Sequence, residues 1–226
     1  MQAIGFTEHG DLSKMSLLTL PKPEPGPGEA LVEMKASAYN RLDIWVRQGW
    51  PGLKLPLPHI SGSDGAGVVA ALGPGVQHPS VGDRVAIDPG LNRVDDDFTA
   101  RGEHSLSPGY GILGEDMPGA HAEYITMPAQ NLLPLPEHIS FEQAAAAGLV
   151  YLTAWRMLIH RAKLRAGESV LVLGAGGGVN SAAIQIAKLA GCTVYATTSS
   201  PAKMEQARSL GADVVLNYAT DPAWAK

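Results

Sequence analysis

The sequence predicts an α/β chain in two parts, an all-β barrel or sandwich-like unit followed by a parallel α/β unit. Three observations carry that expectation. Short apolar segments punctuated by Gly and Pro fill residues 1 to about 128. From Ser140 onward, helical and strand runs alternate. A glycine cluster stands between the first strand of that second part and the helix after it.

In the first part, Ala30–Met34, Gly67–Ala71 and Arg84–Ile87 read as short strands. Pro25-Gly26-Pro27-Gly28 and Gly73-Pro74-Gly75 stand between them as turns, and Gly82-Asp83 feeds the third. Turn formers at that density favour short paired strands. Residues 88–119 are rich in Gly, Pro and Asp with little periodicity, so an extended surface lobe is expected there.

The second part opens on Ser140-Phe141-Glu142-Gln143, a capping-box signature, and its Ala-rich run continues helically toward Arg161. Ser169–Leu173 is a continuous apolar strand, read as buried. After Gly174-Ala175-Gly176-Gly177-Gly178, a helix runs from about Val179 to Ala190 and stops at Gly191. Thr193–Thr197 is the second strand. Ser200 caps a helix with Pro201 in its first position, which ends before Gly211. Val214–Asn217 is the third strand. Strands and helices alternating in this way make a parallel sheet with right-handed crossovers.

Composition narrows the function. The chain has 226 residues, with 17 Lys and Arg against 22 Asp and Glu and no basic block. Nucleic acid and anionic membranes are therefore not the expected partners. The uncharged run Gln143–Trp155 is too short to span a bilayer. Glu8 and Asp11 stand where an export signal needs an apolar core. A single cysteine, Cys192, excludes an internal disulfide and a multi-cysteine zinc knot. A cytoplasmic location is expected.

A strand leading through glycines into a helix is the context of a dinucleotide-binding turn. The helix N-terminus and the exposed backbone N–H groups favour a pyrophosphate. Gly174, Gly176, Gly177, Gly178 and Val179 are the candidate loop residues. At the end of the second strand, an acid would select the ribose hydroxyls of NAD. Here Thr198, Ser199, Ser200 and Lys203 stand instead, with no acid before Glu205. Hydroxyls and a lysine suit a 2′-phosphate, so NADP is expected, with NAD possible. The same residues also read as a capped helix with a solvated lysine. Tyr218, after the third strand, completes the cofactor-side candidates.

Gly62-Ser63-Asp64-Gly65-Ala66-Gly67-Val68-Val69, Gly82-Asp83-Arg84-Val85, Gly119-Ala120-His121-Ala122-Glu123-Tyr124 and the Ala-rich helix into the glycine loop carry a resemblance. Across essentially its whole length the chain resembles the medium-chain dehydrogenase/reductase superfamily, which holds zinc alcohol dehydrogenases and quinone oxidoreductases. The resemblance implies a GroES-like β-barrel substrate and catalytic domain over residues 1–130. It implies a Rossmann dinucleotide-binding domain over residues 131–226, with nicotinamide-dependent hydride transfer and a homo-oligomer. A full Rossmann sheet has six strands. Only the first three are expected before Lys226, so the resemblance implies a C-terminally truncated domain whose first strand becomes an edge.

Zinc alcohol dehydrogenases hold a catalytic zinc through a cysteine, a Gly-His-Glu motif and usually a second cysteine. By resemblance those places fall at Asn40, Gly62-Ser63-Asp64 and near Leu149. Asn, Ser and Leu do not make the N/S set zinc prefers, so no zinc is expected. The four-cysteine structural site of many relatives falls at Arg93, Asp96, Thr99 and Ser107. Asp95, Asp96, Asp97 and His104 read as a solvated loop. The last glycine of the loop is Asn180, a side chain where the resemblance expects none.

The resemblance is thus to the zinc-free quinone oxidoreductases, which reduce quinones or α,β-unsaturated carbonyls. Asn40 is the candidate for orienting substrate or nicotinamide, supported by Asp43 and Tyr39. Asp43 also reads as a helix cap or a partner of Arg41 or Arg47. Trp45 and Trp50 are expected in the core or an interface. Two alternatives remain, a truncated inactive remnant of such an enzyme and a zinc alcohol dehydrogenase.

Overall fold

The computed structural model describes residues 1–221, 223 and 224. The chain forms two compact units, Met1–Leu149 and Val150–Lys226. The first extends past residue 130 and carries residues 141–149, the start of a helix, with it.

Unit one is built on antiparallel pairing. Strands β1 (Gln2–Phe6) and β2 (Met15–Thr19) form a hairpin, and β1 also pairs with β4 (His59–Ile60). The larger sheet has the order β10-β6-β5-β3-β9. Its members are β3 (Glu29–Ala38), β5 (Asp64–Leu72), β6 (Arg84–Ile87), β9 (Tyr124–Pro128) and β10 (Leu132–Pro134). Ile4 N–H donates to His121 O at 2.7 Å and Glu123 N–H to Gln2 O at 3.0 Å, which joins the small sheet to the large one. Alternation places Ala30 and Val32 of β3, Val69 of β5, Val85 and Ile87 of β6, and Ile125 and Met127 of β9 in one core.

β3 is longer than its apolar segment predicts. It continues beside β5 as far as Ala38 opposite Asp64, through two register shifts. That extension brings the end of β3 to the start of α1 (Arg41–Gln48). The expected lobe contains β7 (Gly90–Asn92), the short helix α2 (Asp97–Ala100) and β8 (Tyr110–Ile112). The hairpin β1–β2 escapes a sequence reading because β2 exposes Leu17 and shows no clean alternation.

Helix α3 (Phe141–Trp155) passes from one unit into the other and ends in wider turns over Arg156–Arg161. Unit two holds the parallel sheet β11 (Ser169–Leu173), β12 (Thr193–Thr198) and β13 (Val214–Asn217), with β12 in the middle. Helix α4 (Gly178–Leu189) connects the first pair and α5 (Pro201–Ser209) the second. Val172, Ile184, Ala187, Val194, Ala196, Ala207 and Val215 form the core.

β11 stands at the edge of its sheet, the place the resemblance implies for it, and the reading of Ser169–Leu173 as a buried strand is corrected. Among the described residues it pairs with β12 alone, and Leu171 and Leu173 are 54% and 58% exposed.

Candidate active site

Where β3 ends, Asn40 adopts extended backbone and caps α1. Asp43, three residues on, accepts the Asn40 N–H at 2.6 Å through Oδ2. Its Oδ1 accepts the Gly62 N–H at 3.1 Å, tying the helix start to the turn before β5. Asp43 therefore closes the capping box that Asn40 opens, and no ion pair to Arg41 or Arg47 is formed among the described residues.

Asn40 Nδ2 donates to Asp64 Oδ2 at 2.8 Å. The second oxygen of Asp64 accepts the Leu149 N–H at 2.6 Å, so one carboxylate bridges α1 and α3. Gly148 beside it has to be a glycine, because a Cβ there overlaps Asp64 Oδ1. Asp64 is 1% exposed. Burial pushes its carboxyl above the ordinary carboxylate range, and Asp43 pushes the same way. Hydrogen bonds from Asn40 and Leu149 oppose the rise. Ser63, the preceding residue, is buried with its Oγ unpartnered among the described residues.

Behind Asp43 lies His121. Its Nδ1 shares a hydrogen bond with Ser37 Oγ at 2.9 Å, and its buried Nε2 stands 4.0 Å from Asp43 Oδ2. Burial lowers its pKa below the ordinary histidine value, with Asp43 opposing. Gly62 has φ +107, and a Cβ there would stand 2.7 Å from His121 Nδ1. Tyr39 packs its ring on His121, centroids 4.7 Å apart, and is 78% exposed. It forms no hydrogen bond to Asn40 or Asp43 among the described residues.

The structure thus brings Asn40 and Asp43 together with Asp64, Leu149 and His121, and sets Tyr39 to one side. Asp64 and His121 stand in the glycine motifs, but neither registers as a site residue in the sequence. A buried partner across two strands leaves no local pattern. Trp45 and Trp50 are not core. They are 55% and 41% exposed and border an open groove of about 500 Å³ with Leu42, Gln48 and Glu115.

The lobe residues Asp96, Thr99 and Ser107 also meet. Asp96 Oδ1 accepts the N–H groups of Phe98 and Thr99, both at 2.9 Å, and Oδ2 accepts the Ser107 hydroxyl at 2.7 Å. Arg93 instead forms a two-pronged pair with Asp116 at 2.7 and 2.8 Å.

In unit two, the cofactor-side candidates gather at the carboxyl ends of β11, β12 and β13, where open α/β sheets place ligands. Gly174 turns the chain with φ +81, a conformation that favours glycine. Its N–H and that of Ala175 both donate to Thr197 O, at 3.1 and 2.8 Å. Gly176, Gly177 and Gly178 are exposed, and Val179 follows in the first turn of α4. Helix geometry leaves the first N–H groups of α4 without intrahelical partners. Ser199 and Lys203 are exposed at the start of α5, and Ser200 Oγ caps that helix by accepting the Lys203 N–H at 3.4 Å. The Lys203 stem lies over the loop, so a Cβ on Gly176 would stand 2.8 Å from Lys203 Cδ. Thr198 is buried, and its carbonyl accepts the Tyr218 N–H at 3.0 Å.

Residues 26–137 match the model of the alcohol dehydrogenase GroES-like domain, and residues 178–226 match that of the zinc-binding dehydrogenase. A zinc-type alcohol dehydrogenase-like protein of Schizosaccharomyces pombe is 35% identical over 99% of the chain and 64% of its own length. A crystal structure described as an NAD-dependent alcohol dehydrogenase is 49% identical, with TM-score 0.95 over 99% of this chain and 65% of that one. The chain belongs to the medium-chain dehydrogenase/reductase superfamily. Another member, mycobacterial Rv1454c complexed with NADPH, is 33% identical, with TM-score 0.78 over 98% of this chain and 60% of that one. Further relatives are named quinone oxidoreductase and crotonyl-CoA reductase. The chain spans about 60–65% of the length of the relatives described here.

Zinc is the metal this superfamily implies, and the residues present do not fit it. At the first position the donors are an amide, a hydroxyl and a carboxylate whose two oxygens already accept hydrogen bonds. Among the described residues no group of three or more His, Cys, Asp or Glu is gathered to hold an ion. The dinucleotide does fit, because the exposed glycines leave the start of α4 open to an anion.

Proposed function

We propose that this member of the dehydrogenase/reductase superfamily belongs to a zinc-free, NADPH-preferring reductase acting on quinones or α,β-unsaturated carbonyls. The observation that carries the zinc-free part is the Asp64 clamp, in which Asn40 and Leu149 occupy the carboxylate from both sides. A nicotinamide cofactor, when bound, supplies the hydride. Asn40 is held by Asp64 through Nδ2, which fixes the orientation of its amide and turns its carbonyl oxygen to a defined direction. It serves to orient substrate or nicotinamide, and Asp43 keeps it at the helix start. Tyr39 is the less supported partner, because it packs on His121 instead.

The cofactor preference rests on Lys203 lying over Gly176, with Ser199 and Ser200 beside it and no carboxylate at the end of β12. The NAD-dependent relative supplies the competing reading, in which Lys203 is a solvated helix residue. Fluorescence titration of the chain with NADPH and NADH decides between them. Lys203→Ala is expected to weaken NADPH about 10- to 100-fold, the size of a charge-assisted contact worth roughly 1.5–3 kcal/mol, and to leave NADH nearly unchanged. Equal losses for both cofactors would return Lys203 to a structural role. A cytoplasmic homo-oligomer is part of the same proposal, supported by the likeness to dehydrogenases and by the single buried cysteine. No helix among the described residues is long and apolar enough to cross a membrane.

A further inference from the structure

Asn180 stands third in α4, where the glycine loop of this superfamily ends in glycine. Its side chain does more than fit. Nδ2 donates to Leu173 O at 2.7 Å and to Gly174 O at 2.8 Å. Those carbonyls belong to the last residue of β11 and to the glycine that turns the chain. The N–H groups on the same turn are held from the other side by Thr197 O. The turn is thus fixed by its N–H groups to β12 and by its C=O groups to α4.

We infer that Asn180 is a positioning residue that preorganises the glycine loop for the pyrophosphate of a dinucleotide. The inference rests on the reading of this loop as a dinucleotide site. Two physical effects support it. A carbonyl carries negative partial charge, and two of them beside an anion site oppose the anion unless a donor engages them. Asn180 supplies both hydrogens of one amide to those two oxygens; Gly174 O also accepts the Gly177 N–H at 3.2 Å, so Leu173 O is the one that depends on Asn180 most. The second effect is conformational. Holding Gly174 in its left-handed conformation keeps the following N–H groups and the start of α4 directed at one place, so less ordering remains to be done on binding. A glycine at position 180 offers neither effect, although it would leave the helix start more open.

The test compares Asn180→Ala, Asn180→Gly, Asn180→Ser and Asn180→Asp in the whole chain. Alanine is the informative variant, because it favours helix more than Asn does and removes both donors. NADPH affinity is expected to fall about tenfold in Asn180→Ala and Asn180→Gly, the loss of two modest hydrogen bonds. Asn180→Ser keeps one donor and recovers part of the loss, and Asn180→Asp binds worst. Thermal stability of Asn180→Ala is expected to hold, while amide exchange of residues 174–179 speeds up. 2′-AMP has the 2′-phosphate without the pyrophosphate, so its affinity is expected to be unchanged in the alanine variant and to fall in Lys203→Ala. Unchanged NADPH affinity together with unchanged amide exchange in Asn180→Ala overturns the inference, as does a parallel loss of 2′-AMP and NADPH. If the wild-type chain binds neither dinucleotide, the functional reading and the inference fall together. If it binds NADPH and the variants match it, the inference falls alone.

Discussion

Asp64 and Asp96 both stand in places where the zinc-type resemblance puts metal binding, and their surroundings are opposite. Asp64 is buried between two elements of the first unit, and its carboxyl is pushed up by desolvation against two hydrogen bonds. Asp96 sits in the lobe, where hydrogen bonds from Thr99, Ser107 and Phe98 hold its carboxyl below the ordinary range. The two show different ways of keeping a chain together at such a place. In the lobe the carboxylate closes a turn locally and water remains at hand. At Asn40 and Leu149 the carboxylate is the joint between separate elements, and it is itself withdrawn from water. Removing the local cap is expected to cost less than removing the buried joint.

The largest expected effect breaks that joint sterically. Gly148→Val puts a branched side chain where even a methyl overlaps Asp64 Oδ1, and the first unit is expected to lose about 1–3 kcal/mol or more by denaturant melting. Asp64→Ala follows. It unpairs the Asn40 amide, which costs on the order of 1–3 kcal/mol if left buried without a partner, while the Leu149 N–H falls back on the helical carbonyl of Ala145. A melt unchanged by Asp64→Ala would show that the bridge contributes little.

The pH response sharpens the same contrast. A carboxyl raised in the folded state binds more protons there than in the unfolded chain. Asp64 therefore costs stability as pH rises through its folded pKa, and Asp64→Asn removes that part of the slope. Asp96 has the opposite sign. Its stabilisation is present above the ordinary carboxylate pKa and is lost as pH falls through the lowered folded value. His121 and His59 are buried with lowered pKa values, so the stability of unit one is expected to fall as pH drops below about 6.5. His121→Gln should flatten part of that fall. Denaturant melts from about pH 2 to pH 8 measure all of these slopes, and identical slopes in wild type, Asp64→Asn and His121→Gln would contradict the assignments.

The smallest effect belongs to the lobe. Asp96→Ala is expected to speed amide exchange between Phe98 and Gly109 while the global melt stays close to wild type. A loss of global stability as large as that of Asp64→Ala would erase the distinction between the two carboxylates.

Much of this was legible in the sequence, for identifiable reasons. Ser169–Leu173 and Val214–Asn217 were read to the residue, because continuous apolar runs bounded by turn formers depend on local signals. The loop glycines and the Ser200 cap followed from spacing alone. The Asp64 clamp was different. Its partners lie 24 and 85 residues away, one of them a backbone N–H that no side-chain pattern announces. The full length of β3 was hidden for a related reason, since its last residues pair only because β5 lies alongside. Asn180 read as a defect in the glycine motif, and its use appears only once the two carbonyls are seen within reach.

Metal content decides whether either of these places holds zinc. The chain, expressed with zinc in the medium and purified without chelator, is assayed for zinc against protein concentration. No stoichiometric zinc and a melt unaltered by a chelator are expected, because Asn40, Asp64 and Leu149 form a hydrogen-bonded joint and Asp96, Thr99 and Ser107 a capped turn. Close to one zinc per chain, lost together with stability on chelation, would contradict it.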